Sequence, residues 1–193
     1  MQVENVMSTA NGFDEAVRIL MHGGVVVIPT DTVYGLAAHP DFPEAVARLY
    51  SIKGREERKP IALLASDATA AERFLGRQMP PRATELARRF WPGALTLVLP
   101  AVDGRFEGLR VPNLEWTRRL LAACGGVLRV TSANLSGQRP ATDAPGALAE
   151  VGLSADLVVD GGVSPGGVAS TVVKVLPDDT LDILRQGACV VNG

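Results

Sequence analysis

Residues 13–28, FDEAVRILMHGGVVVI, run a helical spacing straight into an all-apolar stretch, and that junction leaves few architectures open. Phe13, Ala16, Val17 and Leu20 recur at i, i+3, i+4 and i+7, one face of a helix for which Asn11 is the expected cap. Gly23-Gly24 stops the helix, and Val25 to Ile28 reads as a strand ended by Pro29. PTDTVYGLAAHP (29–40) then reads as a loop, and Pro43 opens a helix with Val46, Leu49 and Tyr50 on one face.

The same alternation continues along the chain. Strands are expected at 61–65, 94–100, 109–112 and 127–131, interleaved with helices around 68–75 and 81–90, a helix EWTRRLLAAC ended by Gly125-Gly126, and a short helix capped by Asp143. Interleaving of this kind predicts an α/β fold. The last three strands, 157–160, 170–176 and 181–185, are too close together for helical crossovers, so the sheet should be mixed parallel and antiparallel.

At 193 residues and 47% hydrophobic, the chain can bury the core of one globular unit. A net charge of −2 provides no global positive field, so an anion site has to be built locally, and autonomous RNA binding is expected to be weak or absent. Two cysteines, Cys124 and Cys189, are too few for a disulfide framework or a zinc site. No signal peptide and no membrane span are read, and the expectation is a soluble cytoplasmic protein. His22 and His39 have no zinc spacing or neighbouring serine nucleophile, and neither phosphate-loop fingerprint is present.

Polar groups gather where apolar runs end. KGREERKP (53–60) is either a solvated helix end or a phosphate clamp, with Gly54 between Lys53 and Arg55 allowing close backbone approach. TSANLSG (131–137) is either a self-satisfied turn or an anion nest of hydroxyls, an amide and backbone N–H groups. In PTDT, Thr30 and Thr32 project to one side if the chain stays extended, to hold a polar substrate or to cap a turn. Loops beyond the strand ends of an open α/β sheet form a binding crevice where they converge.

IPTDTVYGL, Lys53-Gly54-Arg55, KPIALL, WPGALTLVL, LRVP, TSANLSG, STVV and ILRQG occur in the order of the YrdC/TsaC family of threonylcarbamoyl-AMP synthases, which the chain resembles from about residue 11 to 189. The resemblance implies one YrdC-like domain over 1–193, with a twisted mixed sheet, flanking helices and a concave cavity. It implies a reaction of L-threonine, bicarbonate and ATP, with Mg2+ carried by the nucleotide and no protein metal site, giving threonylcarbamoyl-AMP and pyrophosphate. The product would serve tRNA threonylcarbamoyladenosine formation, with transient contact to the transferase.

By the same resemblance Lys53, Arg55, Ser132 and Asn134 handle ATP and the reacting centre, and Arg185 approaches the nucleotide. Thr30, Arg110 and Ser170 match threonine-site positions, Arg110 being suited to the amino-acid carboxylate. Two departures stand out: Lys174 follows STVV where the family commonly has an acid, and EERK (56–59) replaces a proline-bearing segment. The alternatives are a YciO-like paralogue with an ATP site but another substrate, an RNA-binding module, or the carbamoyl-transfer domain of hydrogenase maturation proteins.

Overall fold

The computed structural model describes residues 6–54 and 60–191. Its strands are β1 (Val6–Ser8), β2 (Val25–Ile28), β3 (Gly35–Ala38), β4 (Leu63–Ala65), β5 (Leu95–Pro100), β6 (Phe106–Arg110), β7 (Val127–Ser132), β8 (Leu157–Asp160), β9 (Thr171–Val175) and β10 (Leu181–Arg185). The helices are α1 (Phe13–Leu20), α2 (Pro43–Lys53), α3 (Ala68–Leu75), α4 (Pro81–Phe90), α5 (Glu115–Ala123) and α6 (Ala144–Glu150). Among the described residues all strands join one sheet in the order β1-β8-β2-β3-β7-β4-β6-β5-β9-β10. Pairing is parallel at β1–β8, β8–β2, β4–β6 and β5–β9 and antiparallel elsewhere, so the sheet is mixed as expected.

Packing follows side-chain alternation. In β2, Val25 and Val27 enter a cluster with Ala45 and Leu49 of α2 and Ala144 and Ala147 of α6. Val26 and Ile28 enter another with Ala16 and Leu20 of α1 and Leu120 and Leu121 of α5. A strand buried on both faces has no polar register, which is why VVVI is unbroken. Toward β9 the sheet is covered differently: Leu95, Leu97, Leu99, Leu109 and Val173 pack against α3 and α4. The opposite face of those strands carries Thr96, Val98, Gly108, Arg110, Ser170 and Val172, which line a cavity.

Four local expectations are corrected. Gly35–Ala38, read as loop, is β3, held between β2 and β7. GLAA has no β-branched residue and no alternation, and its strand character comes from partners distant in sequence. The short edge strand β1 was not anticipated; it exists through parallel pairing with β8. The strand expected at 109–112 runs from Phe106 to Arg110, because Val111-Pro112 leaves the ladder while Glu107 and Gly108 stay in it. Gly12, not Asn11, is the N-cap of α1 and makes no side-chain bond there. Asp143 does cap α6, accepting from Gly146 N at 2.8 Å.

Candidate active site

The cavity measures about 390 Å3 and opens on the sheet face opposite α3 and α4. Its floor is apolar, with Leu64, Val98, Gly108 and Val172, and its rim is polar where strands end. Thr30, Arg110, Ser132, Ser170 and Arg185 all line it, so five site positions read from the sequence converge, although β9 and β10 lie far along the chain from β2.

The PTDT segment closes a turn and leaves its two threonines on the cavity wall. Thr30 Oγ1 donates to Val33 O at 2.6 Å and accepts from Thr32 N at 3.2 Å, closing the turn. The two hydroxyls lie 3.1 Å apart on the cavity wall. From α5, Thr117 Oγ1 donates to Pro29 O at 2.8 Å and ties down the base of the turn.

Arg110, at the end of β6, is only 6% exposed. Its Nε donates to Gly93 O at 2.9 Å, Nη1 to Thr32 Oγ1 at 2.8 Å, and Nη2 to Asp31 Oδ1. Burial pushes its pKa below the ordinary arginine range, and the Asp31 carboxylate opposes that shift. An uncompensated guanidinium here would be costly, and the Asp31 pair offsets the desolvation. Among the described residues these three bonds use three of the five N–H groups, and the other two remain for a ligand.

Lys53 and Asn134 stand beside the cavity rather than on its wall. Lys53, 3% exposed, donates from Nζ to Ser132 O at 2.6 Å and Asn134 O at 2.7 Å, with Asn134 Oδ1 at 3.2 Å and Ser132 Oγ at 3.4 Å. Ser136 N donates to Lys53 O at 2.9 Å, and Asn134 Nδ2 to the carbonyls of Leu135 and Gln138 at 2.8 and 2.9 Å. The lysine thus gathers the TSAN loop onto the end of α2, which Gly54 terminates at φ 58°. Arg55 lies outside the described residues.

On the other side of the cavity, Arg185 Nε and Nη2 donate to Ser170 O at 3.0 and 2.8 Å, and Ser170 Oγ sits 2.8 Å from Thr96 Oγ1. Lys174 stacks its Nζ 4.0 Å from the ring centroid of Phe106, which lines the cavity. Sequence reading singled out neither the Asp31–Arg110 pair nor Thr96 as site groups. The available signal was register: Thr96 occupies a cavity-facing position of ALTLVLP, two residues before Val98.

A mixed sheet with an apolar cavity floor, a ring of hydroxyls and two arginines defines an α/β domain with a cavity whose lining suits a small anionic ligand. The chain belongs to the Sua5/YciO/YrdC family, whose model, described as "Telomere recombination", matches residues 18–187. It is 40% identical over 187 residues to a putative threonylcarbamoyl-AMP synthase of Mycobacterium leprae, covering 92% of this chain and 84% of that relative. Its fold matches P. abyssi Sua5 complexed with L-threonine with a TM-score of 0.84 and 31% identity, over 91% of this chain and 54% of that one. E. coli YciO matches with a TM-score of 0.80 and 26% identity, over 91% of this chain and 88% of that one. The chain therefore spans about half of the Sua5 protein and most of the other two.

Proposed function

We propose that this chain is an ATP-using enzyme, a nucleotidyltransferase that makes threonylcarbamoyl-AMP from L-threonine, bicarbonate and ATP. The observation that carries the reading is Arg110, a buried guanidinium on a hydroxyl-lined wall with two N–H groups unspent. A carboxylate of amino-acid size, with the hydroxyls of Thr30, Thr32 and Ser170 around it, suits that wall. The Sua5 structure complexed with L-threonine supports the choice of amino acid.

The threonine amine and bicarbonate give a carbamate and water. A carbamate oxygen then attacks the α-phosphorus in line, and the bond to pyrophosphate breaks. Two anions must meet, so the chain's contribution is positioning and positive charge, with no covalent protein intermediate. Arg185 on the cavity wall and Lys53 beside the TSAN loop, together with Arg55, supply that charge. Ser132 and Asn134 present the loop to the nucleotide.

Among the described residues no carboxylate lines the cavity, and no cluster of acidic, His or Cys side chains could hold a metal. Asp31 is committed to Arg110. A magnesium ion carried by the triphosphate would screen its charge. We place the product upstream of tRNA threonylcarbamoyladenosine formation in the cytoplasm, with transient handover to the transferase. Among the described residues no helix is long and apolar enough to cross a membrane.

The test is pyrophosphate release by the purified chain with ATP, Mg2+ and bicarbonate, with and without L-threonine, using L-serine as control. Release should require threonine and bicarbonate, and should fall at least about a hundredfold in Arg185→Ala and Lys53→Ala. The second reading, a YciO-like protein with another substrate, draws on the fold match over 88% of the YciO chain. ATP binding that threonine leaves unchanged would select it.

A further inference from the structure

Arg110 meets the cavity already holding a carboxylate. Asp31 follows Thr30 in the PTDT turn, its side chain is 10% exposed against 7% for that of Arg110, and it is absent from the cavity wall that Arg110 lines. The pair is thus arranged in depth, with the guanidinium in front and the carboxylate behind. Thr32 and the Gly93 carbonyl take two further N–H groups, so the guanidinium is anchored on three edges.

Asp31 is itself held from outside. Gly166, in the loop between β8 and β9, donates its N–H to Asp31 O at 3.0 Å, and a Cβ at Gly166 would stand 2.6 Å from that oxygen. Only glycine lets the loop approach the turn this closely. Tyr34 fastens the same loop at its start, accepting from Gly161 N at 3.0 Å and donating to Gly162 O at 2.7 Å.

We propose that Asp31, backed by Gly166, is a positioning residue that aims the two unspent N–H groups of Arg110 at the substrate carboxylate and so sets the preference for an amino acid over its alcohol. This rests on the reading that Arg110 receives the threonine carboxylate. A guanidinium fixed by Asp31 gives up little side-chain freedom when a ligand binds, whereas one released from it must be ordered at that moment. The effect is therefore confined to ligands that carry the carboxylate.

Calorimetric titration of the full chain with L-threonine and with L-threoninol, in which a hydroxymethyl group replaces the carboxylate, separates this role from a structural one. The native chain should prefer threonine by about tenfold or more. Asp31→Asn, which preserves shape, should bring the ratio to within about threefold while leaving threoninol affinity unchanged. Gly166→Ala, which disturbs Asp31 through its backbone, should narrow the ratio in the same direction and decides the matter if Asp31→Asn does not fold. An unchanged ratio, or equal losses for both ligands, overturns the proposal. A native chain that binds neither ligand overturns the threonine reading instead.

Discussion

Lys53 shows how one side chain can hold a loop in place. Its ammonium faces four oxygens of the TSAN loop, and removing it would leave the two backbone carbonyls, Ser132 O and Asn134 O, without their charged donor. Hydrogen bonds to charged groups contribute about 1.5–3 kcal/mol, and buried acceptors left unpaired cost a similar amount. Lys53→Met should therefore lower stability by about 2–3 kcal/mol in urea titrations and also weaken ATP binding. A variant of native stability would show that the lysine is not what holds the loop. The loop-holding role was hidden in the sequence, where KGR reads as charge beside a glycine and nothing marks the TSAN carbonyls as its partners. Thr30, Arg110, Ser132, Ser170 and Arg185 were legible because motif order carries them. Asp31 was not, since its meaning comes from a strand nearly eighty positions later in the chain.

At the scale of elements, strand alternation decides which substitutions reach the ligand. Gly108 faces the cavity from β6, where an added Cβ would sit 3.3 Å from Ala62 Cβ and 3.5 Å from Thr96 Cγ2. Gly108→Leu should fill floor space and raise the threonine KM by about tenfold, with a melting temperature within about 4 °C of the parent. Its neighbour Leu109 points the other way into the α3–α4 core, and Leu109→Ala should instead cost about 2–5 kcal/mol in stability. Helices and long strands were readable from periodicity and caps, as with Asp143 on α6 and Pro43 at the start of α2. The strand β3 was not, because four small or flexible residues become a strand only when β2 and β7 flank them.

For the whole molecule, Asp156 and Tyr34 are two of the groups that make stability depend on pH. Burial raises the Asp156 carboxyl pKa, but hydrogen bonds from Arg48 at 2.8 Å and Val25 N at 2.7 Å outweigh it and hold the group below its ordinary value of 3.8. Its contribution is present above the unfolded value and is lost as pH falls through the folded one. Burial raises Tyr34 above its ordinary value of 10.0, so its contribution is complete below pH 10.0 and fades as pH rises through the folded pKa. Melting temperatures should thus fall on both sides of a broad plateau, and Tyr34→Phe should remove part of the alkaline decline at the expense of the loop bonds to Gly161 and Gly162. The parallel pairing of β5 with β9 has a further meaning during synthesis. Thr96 leaves the ribosome long before Ser170 and Arg185, which complete the opposite wall of the same cavity. A nascent chain therefore carries half a pocket, and the cavity closes only as the last strands dock.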